Sequence, residues 1–165
     1  MSNKFINKTF KILFYVVVYT IWLKRTTTHN IVVGGAAGAV PPLVGWAAVT
    51  GGIDLPAIYL FSIVFFWTPP HFWALALLIR DDYARAGVPM LPVVQGVSNT
   101  QRSIFLYTLV LVALTLMFYT LHQVGWIYLS AALGLGACFI LLAGRLLLDG
   151  SLRRARQVYL YSLLY

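Results

Sequence analysis

Four long apolar runs limit what this chain can fold into: Ile31 to Val49, Pro56 to Ile79, Ser103 to Leu121 and Gly125 to Leu148. A helix needs roughly 17 to 25 apolar residues to cross the hydrocarbon of a bilayer, and each run meets that requirement. The expected fold class is therefore all-α, a polytopic transmembrane helical bundle forming one partial domain over residues 1–165. Two further segments are too short to cross unaided. Residues 12–23 form a short apolar stretch, and residues 158–165 make less than half a crossing. At about 1.5 Å of rise per residue, a helix starting at Val158 would end inside the hydrocarbon, so the natural sequence is expected to continue past Tyr165.

Charge agrees with a lipid solvent. The chain is 61% hydrophobic and 10% charged, with twelve Lys and Arg against four acidic residues, all Asp; soluble domains carry about 25% charged residues. A net charge of +8 invites a nucleic-acid reading, but the basic residues sit at the ends of apolar runs, which excludes that class and instead sets topology. Lys24 and Arg25, then Arg80, Arg85 and Arg102, then Arg145, Arg153, Arg154 and Arg156 fall on alternate connections. Thr50 to Leu55 and His122 to Val124 carry none. The basic connections are expected on the cytoplasmic side. Lys4, Lys8 and Lys11 disagree with this if the first short segment crosses.

Small residues recur within the runs: Gly34, Gly35, Ala36, Ala37 and Gly38 in one, Gly134 and Gly136 in another. They permit close helix approach in lipid. Pro41-Pro42 and Pro69-Pro70 remove backbone donors and are expected to kink their helices. Cys138 has no cysteine partner in the chain and reads as a small packing residue.

Chemistry concentrates in the connection Arg80 to Pro92, which holds Asp81 and Asp82, half of all the carboxylates. Adjacent aspartates at a membrane face suit Mg²⁺, a hard cation held by one or two carboxylates together with phosphate oxygens and water. The plain alternative is a solvated loop in which they pair with Arg80 and Arg85. Lys24, Arg25 and Asn30 lie on the same expected side and suit a diphosphate, or serve only as topology signals. His71 stands inside a span, where an ionisable residue is costly. On a continuous helix, it lies about 15 Å deeper than Asp81, too far to share an ion. An axial ligand to heme iron, a general base and a hydrogen bond across helices are all open to it. Trp67, Phe72, Trp73 and Tyr83 surround these groups in sequence and could stabilise a carbocation through their π faces, or simply pack.

Several of these stretches occur together in one known family. Trp67 to Leu77 (WTPPHFWALAL) followed by Asp82 to Val94 (DYARAGVPMLPVV) resembles the heme O synthases, the protoheme IX farnesyltransferase branch of the UbiA prenyltransferase superfamily. Tyr15 to Thr20 (YVVVYT), Leu23 to Thr26 (LKRT) and Asn30 to Ala47 (NIVVGGAAGAVPPLVGWA) resemble the same branch in the same order, so the likeness covers about Tyr15 to Tyr165. It implies a UbiA-type bundle of which this chain supplies about the fourth helix to the start of the ninth. It also implies farnesyl transfer from farnesyl diphosphate to a vinyl group of heme B, assisted by Mg²⁺, in a bacterial plasma membrane or organellar inner membrane. Heme A synthase or oxidase assembly factors would be partners. Asp81 and Asp82 would hold Mg²⁺ and diphosphate. Lys24, Arg25, Asn30, Arg80 and Tyr83 would meet phosphate or heme propionate, and His71 would approach the heme. The family's first Asp-rich stretch does not occur in these residues, so this chain is expected to be inactive alone. The second departs from the superfamily Asp-x-x-x-Asp spacing, with Arg85 and Ala86 at the places four after Asp81 and Asp82. Competing expectations are a prenyltransferase acting on a quinone or chlorophyll-type acceptor, and a non-catalytic membrane fragment or assembly partner.

Overall fold

A computed structural model describes residues 30–165, with Asn30 described by its backbone alone. Lys24, Arg25 and the short segment 12–23 lie outside the described residues. The helices are α1 (Asn30–Gly38), α2 (Val40–Thr50), α3 (Leu55–Leu78), α4 (Arg80–Arg85), α5 (Leu91–Val94), α6 (Gly96–Phe118), α7 (Trp126–Asp149) and α8 (Leu152–Leu164), with a 3₁₀ turn at Tyr119–Leu121. No strand occurs among the described residues. Four helical stretches are long and apolar enough to cross a membrane: Ile31–Thr50, Leu55–Leu78, Gly96–Leu121 and Trp126–Asp149. The fold is thus all-α, and the chain is an integral membrane protein.

Helix α3 is the centre, packed against α1, α2, α6 and α8, while α7 packs on α6 and α8. Its start is written locally, because the Asp54 carboxylate accepts the Ala57 N–H at 3.4 Å with Pro56 in the first turn, where a missing donor costs nothing. The two proline pairs behave differently from each other. Helix α3 continues through Pro69 and Pro70, and both residues are fully buried. The Ile31 to Val49 run instead breaks at Ala39, so that Pro41 falls in the first turn of α2.

Apolar burial gives little drive to helix association in lipid, so close packing and internal hydrogen bonds must supply it. Two glycines provide that closeness. A Cβ on Gly136 would lie 2.7 Å from Cγ1 of Val112, and one on Gly35 would lie 3.0 Å from Cγ2 of Thr68. Gly38 and Gly134 face open space. On α6, Thr100, Thr108 and Thr115 donate their hydroxyls to carbonyls one turn back, at 2.8–2.9 Å, which satisfies these buried groups without a partner helix. Outward faces carry Ile127, Leu141, Leu148 and Val49, and Cys138 is exposed there too, not packed inside. Such a surface suits hydrocarbon, not water.

Candidate functional site

The expected acidic loop is helical. Ile79 closes α3 by donating to Leu75, and Tyr83 donates in turn to Ile79 at 3.2 Å, so α4 follows α3 almost directly. Asp81 and Asp82 fall in the first turn of α4, both exposed. The Arg85 guanidinium donates to the Asp82 carboxylate, so part of the plain pairing is realised. With side-chain exposures of 78% and 63%, that pair contributes about 0–1 kcal/mol. The other ion pair among the described residues is Arg154 with Asp149 at 3.1 Å, and neither involves Asp81 or Arg80.

A cavity of about 400 Å³ opens beside α4, lined by Arg80, Asp81, Asp82 and Arg85 on one side and by Gly150, Ser151 and Leu152 on the other. The α7–α8 turn is held there by three contacts. Gly150 adopts φ +68, a conformation that glycine takes without steric cost. Gln101 Nε2 donates to the Gly150 carbonyl at 3.3 Å. Ser151 caps α8 by accepting the Arg154 N–H and donates its hydroxyl to Asp149 at 3.0 Å. Asp54 is explained as the cap of α3 and Asp149 by its bonds to Ser151 and Arg154, leaving Asp81 and Asp82 as the carboxylates with a different setting. Among the described residues no cluster of three or more His, Cys, Asp or Glu could hold a metal ion. Two adjacent carboxylates on an open cavity fit Mg²⁺ only where ligand oxygens and water complete the octahedron.

Tyr83 turns the other way. It lines a second cavity of about 520 Å³ with Val88 and Met90, the Gly34, Gly35 and Gly38 edge of α1, and Trp67, Thr68 and Phe72 of α3. Three of the four aromatic residues singled out in the sequence therefore share one chamber beside the carboxylates. Trp73 does not. It packs in the core with its ring 5.1 Å from Tyr107 in an edge-on arrangement, and its indole N–H has no partner among the described residues.

His71 is buried between α3 and α8, 7% exposed. Its ring stacks on Trp67 at 4.5 Å and on Tyr159 at 5.0 Å, and Nδ1 lies 2.8 Å from Ser162 Oγ. The Ser162 hydroxyl donates its single hydrogen to the Tyr159 carbonyl at 2.6 Å. Nδ1 is therefore the donor to Ser162, and in the neutral ring the lone pair sits on Nε2. The hydrogen bond across helices is the option the geometry displays. Ser162, Gln101 and Gly150 escaped sequence reasoning because their partners are 49 or more residues away and no motif marks them.

The chain is 61% identical over 153 residues to a protein from Gloeobacter violaceus named protoheme IX farnesyltransferase, covering 92% of this chain and 50% of that protein. Relatives of the same name from a Nostoc species and a Roseiflexus species are 58% and 59% identical, with 93% of this chain covered in each case and 49% and 29% of theirs. The chain thus spans about half the length, or less, of the curated relatives it matches. No solved structure matches it. The UbiA prenyltransferase family model matches residues 9–164, and the chain belongs to that family.

Proposed function

We propose that this chain serves heme O synthesis, the transfer of a farnesyl group from farnesyl diphosphate to a vinyl group of protoheme IX. The observation that carries the reading is the pair of cavities flanking α4: carboxylates on the polar one, aromatic rings on the apolar one, one residue apart in sequence at Asp82 and Tyr83. The names of the relatives support the substrates.

In this reading Asp81 and Asp82 hold Mg²⁺ against the diphosphate, Arg80 neutralises phosphate or heme propionate, as would Lys24 and Arg25, and Asn30 would donate a hydrogen bond to the same groups. Bound Mg²⁺ would supply charge stabilisation for the departing pyrophosphate. The allylic C–O bond breaks, the pyrophosphate keeps the electron pair, and Phe72 and Tyr83 face the allylic cation in a water-poor chamber. The vinyl π electrons form the new C–C bond. Water adds to the resulting cation and loses a proton, giving the hydroxyethylfarnesyl group. His71 anchors α3 to α8 and would meet the tetrapyrrole through Nε2. The carboxylates face the cytoplasm, by the placement of the arginines.

The test is conversion of heme B to heme O in membranes given farnesyl diphosphate and Mg²⁺, with this chain expressed alone or beside the remaining half of the Gloeobacter violaceus relative. Turnover is expected from the complemented pair, lost in Asp82→Ala. Prenylation of a quinone in place of heme would sink the assignment.

A further inference from the structure

Behind the aromatic chamber lies a third space. A cavity of about 460 Å³ opens between α3, α6, α7 and the end of α8, lined among others by Leu60, Ile63, Phe118 and Leu135. It shares Val64 and Trp67, and no other residue, with the chamber that begins at Tyr83. These two residues are three apart on α3 and so lie on one helix face. They form a common wall.

The wall is held rigidly. Trp67 Nε1 donates to the Ser162 carbonyl at 2.7 Å, and the indole stacks on His71, itself tied to the Ser162 hydroxyl. Val64 is β-branched, with little rotamer freedom on a helix. Beyond the wall, the polar groups are already satisfied: Tyr165 donates to Thr115 Oγ1 and Tyr128 to the Thr115 carbonyl, both at 2.9 Å. That space therefore offers an apolar lining and suits hydrocarbon.

We propose that Trp67, backed by Val64, sets the length of isoprenoid the site accepts. The tail of a prenyl diphosphate headed at Asp81 and Asp82 crosses from their cavity to the chamber of Tyr83, with which it shares no lining residue, and stops at the indole. A longer tail needs the space behind it. This rests on the prenyl-transfer reading above and adds a specificity residue to it. Apolar pockets discriminate chain increments by about 10–200-fold, which sets the expected scale.

The experiment measures binding of geranyl, farnesyl and geranylgeranyl diphosphates and of inorganic pyrophosphate, each with Mg²⁺, to the full 165-residue chain in lipid nanodiscs. The chain should prefer farnesyl over geranylgeranyl diphosphate by about tenfold. Trp67→Ala should erase that preference while leaving pyrophosphate affinity unchanged, and Trp67→Phe should keep most of it. Val64→Ala thins the same wall without touching the Ser162 bond, so it decides the matter if Trp67→Ala does not fold. An unchanged preference in a folded variant, or none in the original chain, overturns the wall and leaves the prenyl-transfer reading standing. Prenyl diphosphates binding no better than pyrophosphate would overturn both.

Discussion

The indole of Trp67 donates to the main-chain carbonyl of Ser162 across 95 residues of sequence, and the hydroxyl of the same serine accepts from His71. One residue of α8 thus holds two aromatic side chains of α3, through its backbone and its side chain separately. Ser162→Ala removes only the second link. Leaving the buried His71 N–H without its acceptor should cost about 1–2 kcal/mol, read as lowered resistance to thermal or detergent unfolding in micelles. No change would show that the ring is held by stacking alone.

Gly136 and Gly134 make an internal control on α7. A methyl at Gly136 meets Val112 at 2.7 Å, and overpacking of this kind costs about 1–3 kcal/mol. Gly136→Ala should destabilise by that amount, and Val112→Ala in the same chain should relieve much of it. Gly134→Ala enters open space and should be neutral or stabilising, since alanine is the better helix former.

Asp82→Asn should separate binding from folding. Its partner Arg85 is largely exposed, so the unfolding midpoint should move by less than about 0.5 kcal/mol equivalent. Mg²⁺-dependent pyrophosphate binding should fall at the same time. Unaltered binding by a folded Asp82→Asn chain would remove this carboxylate from the site.

Gly150→Ala should be costly for two reasons at one atom. The added Cβ sits at φ +68 and 3.3 Å from Gln101 Nε2, and left-handed backbone alone costs a non-glycine residue about 1–2 kcal/mol. Thermal unfolding checks the loss. Gln101→Ala should ease the tight contact but not the backbone strain, so most of the loss should remain.

Orientation can be read by labelling. With Cys138→Ala as background, Ala86→Cys at the end of α4 should react with an impermeant maleimide in inverted vesicles and stay unlabelled in intact spheroplasts. Gln123→Cys should show the reverse pattern. Labelling of Ala86→Cys from outside would refute the cytoplasmic placement of the carboxylates.

Sequence revealed the parts of this site that depend on local chemistry. An adjacent carboxylate pair stands out in a chain with four acidic residues. Helix α6 begins at Gly96 rather than Ser103, and α8 at Leu152 rather than Val158, because polar residues hide those first turns from an apolar count. Thr100 and Gln101 are buried nonetheless, as is Ala155, since neighbouring helices and hydroxyl bonds to the helix's own carbonyls accept what hydropathy rejects. The α7–α8 turn opposite Asp81 and the serine behind His71 were illegible for another reason: each meets its partner only through a residue far along the chain.

Pro69 and Pro70 sit on α3 between Trp67 and the carboxylates. Neither can donate to the carbonyl one turn before it, so the ladder of bonds along the helix axis lacks two rungs there. Both proline rings are fully buried within the bundle. In the proposed chain-length reading, the distance from the carboxylates to the indole then depends on the packing around α3 as well as on that helix's own bonds.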